Sequence, residues 1–182
     1  MEKRVGILYS TVDGHTLKIC KRIARHIENA GFKTELFDLA NFDNSISNYS
    51  NFIIGASIRY GKHNKNVVEF IENHQKELEQ TNSAFFSVNL VARKPEKSRF
   101  DTNPYVIKFF NSIDWQPNII DVFAGRLDYR SYSFIDRFLI KMIMKMTHGP
   151  TKTDKPIEFT DWNRVEAFSK KILTTKTALE NV

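Results

Sequence analysis

The residues that could do chemistry begin at Ser10. The run Ser10-Thr11-Val12-Asp13-Gly14-His15-Thr16 places hydroxyl residues, a glycine and a histidine between a short apolar run and an amphipathic one. A phosphate site needs that composition. Gly14 lets the backbone curl so that successive N–H groups point inward, and the hydroxyls of Ser10, Thr11 and Thr16 add donors. The helix start that follows adds its partial positive charge. The same turn is also compatible with an ordinary strand-to-helix connection carrying a Thr cap. No Gly-Lys-Ser/Thr follows, so it is not a Walker A loop, and the glycine spacing of dinucleotide sites is absent. A mononucleotide is the better fit. Asp13 is the awkward member, because a carboxylate aimed at a phosphate repels it. It is expected to point away or to cap the helix.

Other chemistries find less support. No Ser/His/Asp or Cys/His arrangement stands out, and the five histidines (His15, His26, His63, His74, His148) lack metal-ligand spacing. The single cysteine, Cys20, allows no intramolecular disulfide and points to a reducing compartment. Beside Ile19, Ile23 and Ile27 it reads as a small core residue. The net charge of +6 and pI near 9.4 favour anionic partners: a carboxylate or phosphate ligand, an anionic membrane surface, or nucleic acid. No recognised motif accompanies the charge, so nucleic-acid binding is only its generic reading.

The elements that must hold the loop follow from periodicity. Short apolar runs at 4–10, 32–39, 51–56, 84–91 and 119–124 read as strands. Helical spacing marks 16–30, 64–79, 105–112 and 165–173. This alternation predicts a single α/β domain over 1–182: a five-stranded parallel sheet with helices on both faces. Ligands of such sheets sit outside the carboxyl ends of the strands. Ser57, Ile58, Arg59, Tyr60 and Gly61 after the third strand should therefore join the first loop. So should Ser87, Val88, Asn89, Leu90, Val91 and Ala92 at the end of the fourth. Tyr60 could stack on a flat ring or simply pack. One segment, 127–155, does not fit five alternating units and is expected to be an insertion near the fifth strand.

Ser10–Thr16 resembles the FMN phosphate loop of flavodoxin-like proteins. Ile54–Gly61 (IGASIRYG) and Phe86–Lys97 (FSVNLVARKPEK) resemble the flavodoxin-type, menaquinone-dependent protoporphyrinogen IX dehydrogenases. Asp136–Met146 (DRFLIKMIMKM) and Thr160–Trp162 (TDW) resemble the same family, so the likeness runs from about Arg4 to Leu173. It implies a flavodoxin-like fold, FMN, and oxidation of protoporphyrinogen IX to protoporphyrin IX in haem synthesis. Electrons would pass to a membrane quinone, menaquinone or ubiquinone. Plain flavodoxins commonly cover the flavin with a second aromatic residue. Leu90 and Val91 stand in that loop here, which would leave one flavin face open.

Arg93, Lys94, Lys97 and Arg99 lie in the adjacent loop against Glu96. Positive charge there would stabilise reduced, anionic flavin and favour an electron acceptor over an acidic carrier. The cluster is expected to bind the substrate's carboxylates, with Arg93 or Lys94 in contact; a solvated basic loop is the plainer reading. Within the insertion, Phe134, Ile135, Phe138, Leu139, Met142, Ile143 and Met146 recur at helical spacing. From Arg126 to Lys152 there are six Lys or Arg against two Asp, a local +4. That pattern suits a membrane or quinone face, and equally a core helix or a dimer face. With no signal h-region and no apolar stretch of about 20 residues, the expected place is peripheral, on the cytoplasmic side of the inner membrane. A flavodoxin-like electron carrier and an NAD(P)H:quinone reductase are the alternatives.

Overall fold

Val5 and Ile7 face one side of strand β1 (Arg4–Ser10) and Leu8 faces the other, all fully or almost fully buried. Only a central strand with helices on both faces buries both sets. The computed structural model describes residues 4–175, which run α1 (His15–Asn29), β2 (Lys33–Asp38), β3 (Asn51–Arg59), β4 (Lys62–His63), α2 (Lys65–Asn73), α3 (Gln75–Gln80), β5 (Asn82–Asn89), α4 (Pro104–Phe110), β6 (Ile119–Ala124), β7 (Arg126–Leu127), α5 (Phe134–Met146), β8 (Ile157–Glu158) and α6 (Trp162–Thr174). Residues 1–3 and 176–182, which the expected domain also included, lie outside the described range.

The main sheet has the order β2-β1-β3-β5-β6 with every neighbour parallel, and β4 pairs antiparallel with the end of β3. This is the five-stranded parallel sheet expected from the alternation, in the flavodoxin-like form that the resemblance implies. One face packs Ile19, Ile23 and Ile27 of α1 and Val165, Phe168 and Ile172 of α6 against Ile53, Phe86 and Phe123. The other packs Val67, Phe70 and Ile71 of α2 and Phe109 of α4 against Phe52, Ile54 and Phe85. Cys20 is buried in the first of these layers, as its neighbours predict.

Two glycines permit aromatic rings to lie across the central strands. Gly55 pairs in register with Phe86, and a Cβ there would stand 2.3 Å from the ring. Gly6 pairs with Phe52, with a corresponding approach of 2.6 Å.

Three features depart from the expected pattern. The helix expected over 64–79 breaks at His74 (φ −115°, ψ 15°), whose ring stacks on Phe70 with centroids 4.3 Å apart. Strand β3 extends beyond residue 56 to Arg59, because Ile58 and Arg59 find partners in His63 and Lys62. The insertion has a closed base: Arg126 and Leu127 pair antiparallel with Glu158 and Ile157, so the excursion leaves and returns at one point. Gly55→Ala should lower the free energy of unfolding by about 1–3 kcal/mol through overpacking on Phe86, measured by urea titration.

Candidate active site

The carboxyl ends of β1, β3, β5 and β6 surround a cleft of about 420 Å³, within the size range of a small-molecule site. Thr11, Asp13, His15 and Thr16 form one wall. Gly14 takes φ +75° and is the residue before α1, so the left-handed turn expected of a phosphate loop is present. The hydroxyls of Thr11 and Thr16 are buried and have no hydrogen-bond partner in the protein. Buried donors without partners are costly, and at the start of a 15-residue helix they suit an oxyanion. The donor set therefore fits the phosphate of a mononucleotide.

Asp13 does not cap α1; no side chain does. Its carboxylate lies 3.4 Å from the Arg59 guanidinium, which holds it in an ion pair. His15 is fixed differently. Its Nε2 lies 2.7 Å from Thr160 Oγ1, and that hydroxyl donates to the Ala124 carbonyl at 2.7 Å. Because the threonine proton is committed, His15 Nε2–H is the donor. Burial, seconded by the charges of Lys18 and Arg126, lowers the His15 pKa against the opposing pull of Glu158. The wall thus presents a neutral imidazole. Thr160 and Trp162 earn their places here, the latter by donating Nε1–H to Glu158 at 2.8 Å.

The second wall is the β3–β4 hairpin. Tyr60 (φ +51°) and Gly61 (φ +77°) form its two-residue turn, the combination that suits the twist of paired strands. Ser57 through Gly61 all line the cleft. Behind them His63 packs on Phe85 and Phe109 and bonds Ser87 Oγ at 3.0 Å. Burial pushes its pKa down to about 3. The third wall is Val88, Asn89, Leu90 and Val91. Asn89 is buried, accepts from Ala92 N at 3.0 Å and so turns the chain away from the sheet.

The inserted helix α5 roofs the cleft with Leu139, Ile140, Met142 and Ile143. Its start is a reciprocal cap: Ser133 Oγ accepts from Asp136 N and donates to the Asp136 carboxylate at 2.6 Å. That carboxylate also accepts from Tyr60 Oη at 2.7 Å and pairs with Arg59. The Ser133 and Tyr60 hydroxyls, together with Arg59, hold the Asp136 carboxyl below the ordinary range.

Of the expected cofactor residues, Ser10, Val12, Gly14, Ser87 and Ala92 do not themselves line the cleft. Ser10 accepts from Ser57 through its carbonyl, Val12 points to solvent, and Ser87 is buried against His63. The expected substrate cluster lies apart from the cleft. None of Arg93, Lys94, Lys97 and Arg99 lines the cleft. Arg93 donates to the Leu90 carbonyl and to both oxygens of Thr147, Arg99 pairs with Asp101, and Lys94 lies 3.8 Å from Glu96. The carbonyl and hydroxyl of Thr147, just past the end of α5, take the Arg93 donors together with the Leu90 carbonyl, and no sequence spacing connects residues 93 and 147. The cations that do line the cleft are Arg59 and Arg126. Tyr105, Gly125, Arg126, Tyr132, Asp136 and Ile140 join the lining without having been singled out as cleft residues. Only Asp136 and Ile140, within a family-like stretch, carried a signal.

Replacing Thr11 or Thr16 by Val should weaken FMN binding about tenfold each while leaving the apoprotein equally or more stable, since each removes an unpartnered buried hydroxyl. Flavin fluorescence titration and thermal unfolding separate the two effects. His63 gives a pH dependence. The unfolded chain protonates it near 6.5, the folded chain only near about 3, so its contribution is complete above the unfolded value and lost as pH falls. Between about pH 7 and pH 5 the apoprotein should lose about 2 kcal/mol from this group, and His63→Gln should flatten the slope.

The Flavodoxin domain family model matches residues 6–154. The chain is 42% identical over 177 residues to an Escherichia coli protein named protoporphyrinogen IX dehydrogenase (quinone), covering 96% of this chain and 98% of that one. A Leishmania major protein of the same name is 42% identical over 165 residues, covering 90% of this chain and 71% of its own length. Among solved structures, oxidised flavodoxin 1 from Bacillus cereus superposes with a TM-score of 0.56 at 12% identity, covering 96% of this chain and 99% of that one. That likeness concerns the fold alone. Matched over nearly its whole length, the chain belongs to the flavodoxin-type protoporphyrinogen IX dehydrogenase family.

Proposed function

We propose that this chain uses FMN to oxidise protoporphyrinogen IX to protoporphyrin IX, with menaquinone or ubiquinone as electron acceptor. The observation that carries the reading is the pair of unpartnered hydroxyls, Thr11 and Thr16, beneath a cleft roofed by an apolar helix. The names of the relatives supply the substrate and the acceptor. When bound, FMN supplies the redox chemistry, taking electrons from the reduced tetrapyrrole and handing them to the quinone.

The chain's own residues bind, orient and exclude water. Thr11, Thr16 and the turn at Gly14 hold the phosphate. Tyr60 on one side and Leu90 and Val91 on the other flank the space for a flat ring. Leu139, Ile140 and Ile143 keep water off that ring from above. His15 donates its Nε2 proton to Thr160 and stays neutral, so it orients the loop without adding a charge.

A quinone is dissolved in lipid, and α5 offers a way to reach it. Phe134, Ile135, Phe138, Met142 and Met146 are all exposed on this one helix, with Arg137, Lys141 and Lys145 beside them. Among the described residues no helix is long and apolar enough to cross a membrane. A short amphipathic helix instead lies in the interface, each nearby cation adding about 1 kcal/mol on an anionic surface. The outer face of α5 is therefore read as a peripheral membrane contact.

Protein reconstituted with FMN should generate protoporphyrin fluorescence from protoporphyrinogen IX anaerobically, and only when a quinone is also present. Flavin binding without turnover would instead favour an electron carrier, and turnover fed by NAD(P)H would favour a nicotinamide-dependent quinone reductase. Phe134→Glu with Phe138→Glu should abolish co-sedimentation with anionic liposomes. Unchanged sedimentation would return α5 to a dimer face.

A further inference from the structure

Arg59 and Tyr60 stand side by side in the hairpin turn and direct a guanidinium and a phenol hydroxyl at one carboxylate. Such a pair recognises carboxylates generally, because donors from both groups can be shared over the two oxygens. The carboxylate they hold is not a neighbour in sequence. It is Asp136, 77 residues beyond Arg59, on the helix that roofs the cleft. We propose that Arg59 and Tyr60 are the substrate-carboxylate receptor of the cleft, and that Asp136 occupies it as an internal substitute which the substrate's carboxylate displaces. The proposal rests on the tetrapyrrole reading above, whose substrate carries two propionates.

Three observations favour this assignment over the basic loop. First, Arg93 and Arg99 are committed to Thr147 and Asp101 and lie off the cleft, while Arg126, the other lining cation, is paired with Asp128 two residues away. Second, the charges at the hairpin allow an incoming carboxylate only by exchange. Arg59 meets both Asp13 and Asp136, a local −1, so a further carboxylate is repelled unless one of the two leaves. Asp136 can leave without stranding a buried acceptor, because Ser133 stays bonded to it within the helix cap. Its departure clears both Arg59 and Tyr60, whereas Asp13 meets Arg59 alone. Third, the roof is lightly held. Of the residues of α5 only Asp136 and Met144 are buried, so moving the start of the helix uncovers little packed surface. Tyr60 itself sits in the left-handed region at φ +51°, a conformation that surrounding contacts must maintain and that recurs at ligand clamps.

Displacement of Asp136 would release the start of α5 as substrate arrives, opening the roof over the ring while its far end stays tied through Arg93 to Thr147. Asp136 is a positioning residue in this scheme; Arg59 and Tyr60 touch the substrate.

The test is equilibrium binding to the FMN-loaded protein, read by quenching of porphyrin fluorescence, with protoporphyrin IX and its dimethyl ester as probes. The diacid should bind the wild type more tightly than the ester. Arg59→Gln should weaken diacid binding about tenfold, the size of one charge-assisted contact, and leave the ester unchanged. Asp136→Asn should tighten diacid binding several-fold by removing the competitor, again without effect on the ester. Hydrogen exchange on the wild type gives an independent reading: the diacid should speed exchange of amides in 134–140, and the ester should not. Equal affinity for diacid and ester, or diacid binding that Asp136→Asn leaves unchanged or weakens, overturns the receptor while leaving the tetrapyrrole reading intact. A wild type that binds FMN but neither porphyrin overturns the tetrapyrrole reading itself, and the receptor with it.

Discussion

The sheet reverses its direction of winding between β1 and β3. From β1 the chain moves one strand outward to β2, then returns past β1 and proceeds through β3, β5 and β6 on the other side. Right-handed crossovers place α1 on one face and α2, α3 and α4 on the other. The connections leaving β1 and β3 therefore diverge, and a crevice opens at their carboxyl ends. The phosphate-loop residues and the Tyr60 hairpin come from those two strand ends. The rings of Phe52 and Phe86 lie over Gly6 and Gly55 on these same strands, so the close packing beneath the crevice depends on side chains that are absent.

The insertion uses the crevice rather than extending the sheet. It leaves and returns through the short β7–β8 pair, and Leu127, Tyr129, Tyr132 and Met144 form a small core of its own. The helix it carries is tied at one end to a wall of the cleft, by Asp136 to the hairpin, and at the other to the loop that follows β5, by Thr147 to Arg93. Gly149 makes the second tie possible, since a Cβ there would stand 2.5 Å from the Arg93 guanidinium. One helix thus shields the cleft with its inner face and leaves bulky apolar side chains on its outer one. An amphipathic helix with both faces apolar in part satisfies neither a core nor water fully.

Charge in the cleft is nearly self-compensated. Asp13, which alone would oppose a phosphate, is drawn aside by Arg59, and burial lowers the His15 pKa while its bond to Thr160 fixes the ring's orientation. The attraction for an anion at the phosphate loop consequently comes from backbone N–H groups, the helix start and two free hydroxyls rather than from a formal charge.

The five strands of the main sheet, the helices between them and the glycine turn before α1 are legible from residues alone, because they depend on local periodicity and on a glycine whose conformation is set by its own backbone. The apolar run at Val5–Leu8 and the stop at Gly31 needed no tertiary information. The bend at His74 was not legible, because the ring contact with Phe70 that accompanies it looks from sequence like continued helix. Arg93 shows the larger limit. Its charge and its place beside the flavin loop suggested a substrate contact, yet its donors go to Thr147, 54 residues away. Asp136 shows the same limit in reverse: helical spacing marked its neighbours as a face, while its bonds to Arg59 and Tyr60 exist only once the insertion folds over the cleft. Local patterns decide which elements form. Which polar groups meet is decided by tertiary structure, because a hydrogen bond is specified by distance in space and carries no trace in sequence spacing.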